Sequence, residues 1–215
     1  MQFKCDFRPG MWDKDFFQIV KSPRWQVNSQ WIQESDGISN QMPLPPDDDE
    51  GKMYVSMLCK QPLRTDIRIE TECSFDDRMA PLIVLSRELL PEHREHLEIV
   101  LYDRGINLWH HFYDNGKPSW KLIAFQDHPL AAGEKHRLVA EVRNSPRGRF
   151  LYIGIDEPSF GCRMPENWPE TFYAGITACE GKNKFYSFTL SGVTDDAVKC
   201  ERFRKKQPLN CAVKR

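Results

Sequence analysis

Between residues 53 and 190 apolar and polar side chains alternate with a period of two, and that periodicity restricts the segment to β-strands. In Asp66 to Phe75 the apolar set is Ile67, Ile69, Cys73 and Phe75, while Asp66, Arg68, Glu70, Glu72 and Ser74 fall on the other face. A helix would scatter those charges around its circumference, whereas a strand separates them. Further runs occupy 80–86, 97–103, 106–113, 119–125, 136–143, 150–155, 172–178 and 185–190. Asp103-Arg104-Gly105, Asp114-Asn115-Gly116 and Pro146-Arg147-Gly148 separate successive runs with residues that tolerate positive φ, as antiparallel reversals require. Upstream, Trp25 to Val27 and Trp31 to Gln33 read as short strands ending at Asp36-Gly37. Met42 to Gly51 reads as a surface loop, and Pro158 to Pro169 as another. Helix is expected only as a turn within Leu89 to Glu95 and a short segment within Asp195 to Arg204.

So many short, evenly spaced strands predict an all-β, two-sheet antiparallel jelly-roll sandwich with little helix. The 215 residues suit one such domain. Residues 1–24 are expected as an N-terminal extension packed on the sandwich, 25–192 as the sandwich and 193–215 as a tail. At 40% hydrophobic and 12% aromatic residues, the chain can bury a sizeable core.

Thirty basic residues nearly cancel thirty-one acidic ones, which argues against a nucleic-acid partner, since phosphate binding needs a basic surplus on one face. The Arg202, Arg204, Lys205 and Lys206 cluster reads as a solvated chain end. No apolar run reaches the ~18 residues of a membrane span, and the first residues do not read as a signal peptide. The seven cysteines are widely spread without a CxxC pair. They read as free thiols, with Cys162 the one most expected to be exposed, and they suggest a cytoplasmic protein.

Leu97 to Tyr102, Gly105 to Trp109, Gly116, Trp120, Gly133 to Val142, Leu151 to Asp156, Ala174-Gly175-Ile176 and Phe185 to Leu190 together resemble the concanavalin A-like lectin/glucanase superfamily. Within it, the likeness is to laminin G-like and 3-keto-disaccharide hydrolase-like jelly rolls, over about residues 25–192. The resemblance implies a fold and a carbohydrate or carbohydrate-derived ligand. Asp156-Glu157-Pro158 departs from the glycine turn that often follows the aspartate strand. The tight E-x-D-x-(x)-E strand of the glucanases is absent, so their mechanism does not carry over.

The stretch Asn107 to Tyr113 carries the main site reading. Alternation assigns Leu108, His110 and Phe112 to the core and leaves Asn107, Trp109, His111 and Tyr113 on a concave outer face. Rings flanked by amide and imidazole suit sugars, whose C–H faces stack on aromatics while hydroxyls need donors and acceptors. Glu98 and Tyr102 join that face from the preceding strand, with Trp120 as a further ring. The competing reading is aromatic packing beneath a covering loop. Three functions follow: a binding module, a glycoside-processing hydrolase with Glu98 and His111 as catalytic acid/base pair aided by Arg87 or Arg78, and a protein-interaction domain on the same face.

Other constellations are weaker. Glu70 and Glu72 share a strand face about 6.5–7 Å apart, a spacing compatible with inverting glycosidases, but Arg68 beside them favours a charged solvent face. His93 and His96 could chelate only from a helix, and Pro91 favours an exposed turn. His110 and His111 point to opposite faces and cannot share a metal. No cofactor is expected, except that Asp47 to Glu50 could hold a structural calcium ion if it is not simply a solvated loop.

Overall fold

The structure is a computed structural model and describes residues 2–24, 29–40, 54–76 and 79–193. Trp25 to Val27, Asp47 to Glu50, Arg78 and the expected C-terminal helix lie outside the described residues. Among the described residues fifteen strands follow in order: β1 (Gln2–Asp6), β2 (Phe17–Val20), β3 (Trp31–Gln33), β4 (Ile38–Asn40), β5 (Tyr54–Cys59), β6 (Ile67–Phe75), β7 (Met79–Ser86), β8 (His96–Tyr102), β9 (Gly105–Asp114), β10 (Lys117–Asp127), β11 (His136–Ser145), β12 (Gly148–Ile155), β13 (Glu157–Arg163), β14 (Tyr173–Cys179) and β15 (Asn183–Gly192). One sheet runs β13-β12-β11-β6-β15-β4-β3, with β1 added against β15, and the other runs β10-β9-β8-β7-β14-β5-β2. The first 24 residues therefore supply a strand to each sheet, β1 on β15 and β2 on β5. Among the described residues the one helical element is a single 3₁₀ turn at Lys14–Phe16, and no helix is long and apolar enough to cross a membrane.

The alternation reading of β6 holds. Ile67, Ile69, Cys73 and Phe75 enter the inter-sheet core, where they meet Ile83, Leu85, Ile99 and Leu108 of the opposing sheet. Gly175 marks a close approach on β14, since a Cβ there would stand 1.9 Å from the Met57 carbonyl oxygen on β5. Two segments differ from expectation. Much of Pro158 to Pro169, expected as loop, lies in the outermost strand β13, which ends at Arg163; Pro158 is tolerated at a sheet edge, where its missing N–H interrupts no central ladder. The hairpin before it turns on Asp156, which adopts φ 61° in place of a glycine. Leu89 to Glu95, expected as a helical turn, is non-helical and is tied to the chain before it, where the His93 amide donates to the Lys21 carbonyl.

The outer face of the β6 sheet is an ion-pair network. Arg68 reaches Glu141 at 2.8 Å, Glu157 at 2.9 Å and Glu70 at 3.0 Å. Glu70 is thus bound within a charged surface, the reading that Arg68 suggested. Cys5, Cys59, Cys73 and Cys179 are free and buried, and Cys162 is partly exposed.

A second charged cluster fastens β4 to β15. Lys184 contacts Glu34 at 2.8 Å and also Asp36, while Ser39 donates to Glu34 at 2.6 Å. The hydrogen bond from Lys184, with that from Ser39, holds the Glu34 carboxyl at about 2. A depressed carboxylate contributes stability that is fully present above its unfolded value of about 4.5 and is lost as pH falls toward 2. For this partly exposed pair the screened contribution is ~1 kcal/mol. Urea midpoints measured from pH 5 to pH 2.5 are therefore expected to fall less steeply in Lys184→Met than in wild type, and parallel profiles would rule the linkage out.

Candidate functional site

Strands β5, β7 and β8 are buried on both faces. One face joins the inter-sheet core. The other builds a second apolar cluster from Val20, Tyr54, Leu58, Ala80, Leu82, Val84, Val100 and Cys179. Set into this outward layer are polar side chains that would be costly to bury without partners: Ser56, His93, His96, Glu98 and Thr177.

The β8–β9 register organises them. The hairpin closes with Tyr102 opposite Gly105, which places Glu98 opposite Trp109 and His96 opposite His111. On the far side of β9, Trp120 of β10 pairs with His111. Because His96 and Glu98 are two residues apart on one strand, they share a face, and His111 joins them from the neighbouring strand. His96 Nε2 lies 3.1 Å from Glu98 Oε1, and His111 Nε2 lies 2.9 Å from Glu98 Oε2. The Tyr54 hydroxyl donates to Glu98 Oε1 at 3.4 Å. Three imidazoles stack above the sheet, with His93 to His96 centroids 4.4 Å apart and His96 to His111 centroids 4.6 Å apart. His93 Nε2 meets the Ser56 hydroxyl at 3.0 Å, and Thr177 donates to the same hydroxyl at 2.7 Å.

Burial alone would raise the Glu98 carboxyl. The charge of His111 and the hydrogen bonds from His111 and His96 outweigh burial and hold it well below the carboxylate range. Burial likewise pushes His93 and His96 below the usual imidazole value. The Glu98 and His111 side chains keep 11% and 12% of their surface exposed, against 2% for His96. The cluster is thus open to the exterior on its β9 side.

The other sequence candidates are spread along this sheet. Trp120 is exposed at 45%, with the Arg24 guanidinium 3.9 Å above its ring. Tyr113 is 40% exposed, its hydroxyl 3.4 Å from Glu92. Trp109 does not project freely: it is half-buried against the second apolar cluster. Asn107 pairs with Val100, two strand positions beyond the Trp109–Glu98 pair. Tyr102 lies four residues from Glu98, roughly 13 Å along the strand, and packs near Phe125. Arg87 is held by Glu95 at 2.7 Å, and Glu95 also binds His110, so its guanidinium is engaged away from the Glu98 cluster. His93, expected in an exposed turn, is buried. Tyr54, Ser56 and Thr177 were not anticipated, since nothing local in sequence aligns β5 and β14 with β8.

No family model and no curated protein matches the chain. Solved structures do. The chain is similar to a Bacillus subtilis protein with a galectin-like fold at 8% identity, with 88% of this chain and 94% of that one covered and a TM-score of 0.59. It is similar to a Bacillus licheniformis β-glucanase at 9% identity, covering 88% and 97% with a TM-score of 0.57. It is also similar to the carbohydrate-binding module CBM66 from Bacillus subtilis at 14% identity, covering 80% and 99% with a TM-score of 0.55. At such identities the likeness is one of architecture, and it agrees with the strand order described above: the chain folds as an antiparallel jelly-roll β-sandwich.

Proposed function

We propose that the chain binds a carbohydrate on the outward face of the β8–β9–β10 strands, with Glu98 and His111 as polar contacts and Trp120 as the stacking ring. The observation that carries this reading is the adjacency of a partly accessible carboxylate–imidazole pair to an exposed indole, His111 and Trp120 being cross-strand partners. A sugar asks for both at once, because its hydroxyls need charged or polar partners and its C–H face needs a ring. Tyr113 extends the aromatic rim along β9. Two of the similar structures are a carbohydrate-binding module and a β-glucanase, which supports the same ligand class.

A second reading, a glycoside-processing enzyme, draws on one feature. Glu180 is pushed up, by burial first and in part by the charge of Glu98, while Glu98 is held down by His111 and His96. Carboxyls pushed apart in this way suit acid and base roles. A glycan array followed by calorimetry separates the readings. Wild type is expected to bind a glycan, and Trp120→Ala to weaken it at least about fivefold, equivalent to ~1 kcal/mol. Turnover of the bound glycan, abolished in Glu98→Gln, would replace the binding reading by the enzymatic one. Absence of any glycan ligand would refute both.

A further inference from the structure

We propose that His96, Glu98 and His111 form a binding site for one divalent transition-metal ion of the zinc class. The inference shares Glu98 and His111 with the carbohydrate reading but does not rest on it, since ion binding needs only these three side chains and is measured without any glycan. Their candidate donor atoms all lie within 4.8 Å of one another, and the two imidazole Nε2 atoms stand 3.1 and 2.9 Å from the two carboxylate oxygens. A tetrahedral ion with ~2.0–2.1 Å bonds to nitrogen and oxygen has ligand–ligand edges of about 3.3 Å. Each imidazole thus stands about one such edge from a carboxylate oxygen, and with all three donors within 4.8 Å of one another small side-chain rotations would bring them round one ion.

The backbone explains why they converge. His96 and Glu98 are successive outward residues of β8, and His111 is the direct cross-strand partner of His96. Side chains so placed start about 4.5–5.5 Å apart and can close on a common point. The His96 ring is clamped between the stacked rings of His93 and His111. That stacking fixes the ring plane although His96 Nδ1 is buried without a protein partner.

Chemistry selects the ion. Two imidazoles and one carboxylate suit zinc and its first-row neighbours, whereas calcium and magnesium take oxygen ligands almost exclusively. Charge points the same way: a buried carboxylate needs compensation, and a doubly charged ion supplies it without protonating two stacked rings. His96 closes the buried side, and the exposed edges of Glu98 and His111 leave the remaining coordination positions facing outward beside Trp120.

The test uses the whole chain, tag-free and treated with chelator, titrated near neutral pH with Zn²⁺ by calorimetry and with Co²⁺ by visible absorption. Expected are one tight ion per chain, a rise in melting temperature with Zn²⁺, and Co²⁺ bands without thiolate charge transfer. His111→Gln changes a residue at the rim and is expected to weaken Zn²⁺ at least about 100-fold, beyond the ~10–100-fold cost of outer-shell changes. Circular dichroism checks its folding. Should it not fold, the wild-type stoichiometry and the Co²⁺ spectrum decide. No saturable binding, a thiolate band that places the ion on cysteine, or unchanged affinity in a folded His111→Gln would each overturn the proposal.

Discussion

Arg68→Met is expected to destabilise the fold by about 3 kcal/mol, at the low end of the range for removing one partner of a buried ion pair. Arg68 sits on β6 directly opposite Glu141 of β11, and Glu141 is almost wholly buried. Burial opposes the charge on the guanidinium, but Glu157, Glu70 and Glu141 together outweigh it and raise its pKa. Without Arg68, Glu141 keeps only its contact with Arg143 among the ion pairs described, at 2.5 Å, and Glu70 loses its 3.0 Å partner. The low end is chosen because Arg143 remains and Glu157 is solvated. Urea unfolding should show a lower midpoint at unchanged slope. Adding Glu141→Gln should restore part of the loss, since the stranded charge is then gone. A cost below ~1 kcal/mol would mean the cluster behaves as an ordinary surface network.

That network also shows what a single sequence makes visible. Strand alternation in Asp66 to Phe75 separated the charged face from the core, and Arg68 beside Glu70 and Glu72 argued for a charged solvent face over catalysis. The partners Glu141 and Glu157 were invisible, because pairing of β6 with β11 spans a connection whose register no local signal sets. On the site side, alternation brought Glu98 and His111 to one face, and the structure puts them in contact. His96 could have been added: the tight turn Asp103-Arg104-Gly105 fixes the hairpin register, and counting back from it sets His96 against His111. The identity of the face was the harder matter. One apolar and one solvated face is the usual rule for an antiparallel sheet, and it steered Trp109 toward solvent. Yet Val55 to Cys59 and Ala80 to Leu85 are nearly continuous apolar runs, the pattern of strands covered on both sides. The 87–95 segment supplies part of that cover, with His93 carried down onto Ser56.

Trp109 and Trp120 consequently separate under the same substitution. Trp109→Ala is expected to cost about 3 kcal/mol of folding free energy, the lower end for removing a buried tryptophan, because the ring is only half-buried. It stands against an apolar layer that includes Val84 and Val100, and its loss opens a cavity beside the Glu98 carboxylate, its cross-strand neighbour. For a domain of this size a loss of ~3 kcal/mol lowers the melting temperature by roughly 6–12 °C. Trp120→Ala removes a ring that is 45% exposed on the terminal strand of the sheet, along with the Arg24 contact at 3.9 Å. An exposed cation–π pair is worth ~0.5–1 kcal/mol, so this variant should melt within a few degrees of wild type. The two effects reverse for ligand: Trp120→Ala loses stacking outright, whereas Trp109→Ala acts on binding only through displacement of Glu98 and His111. Thermal melts of both variants beside wild type read the first contrast, and titration with the glycan found for wild type reads the second. Equal melting temperatures for the two variants would show that Trp109 contributes no packing to the outward layer, and the division of that layer into a structural ring and a contact ring would fall.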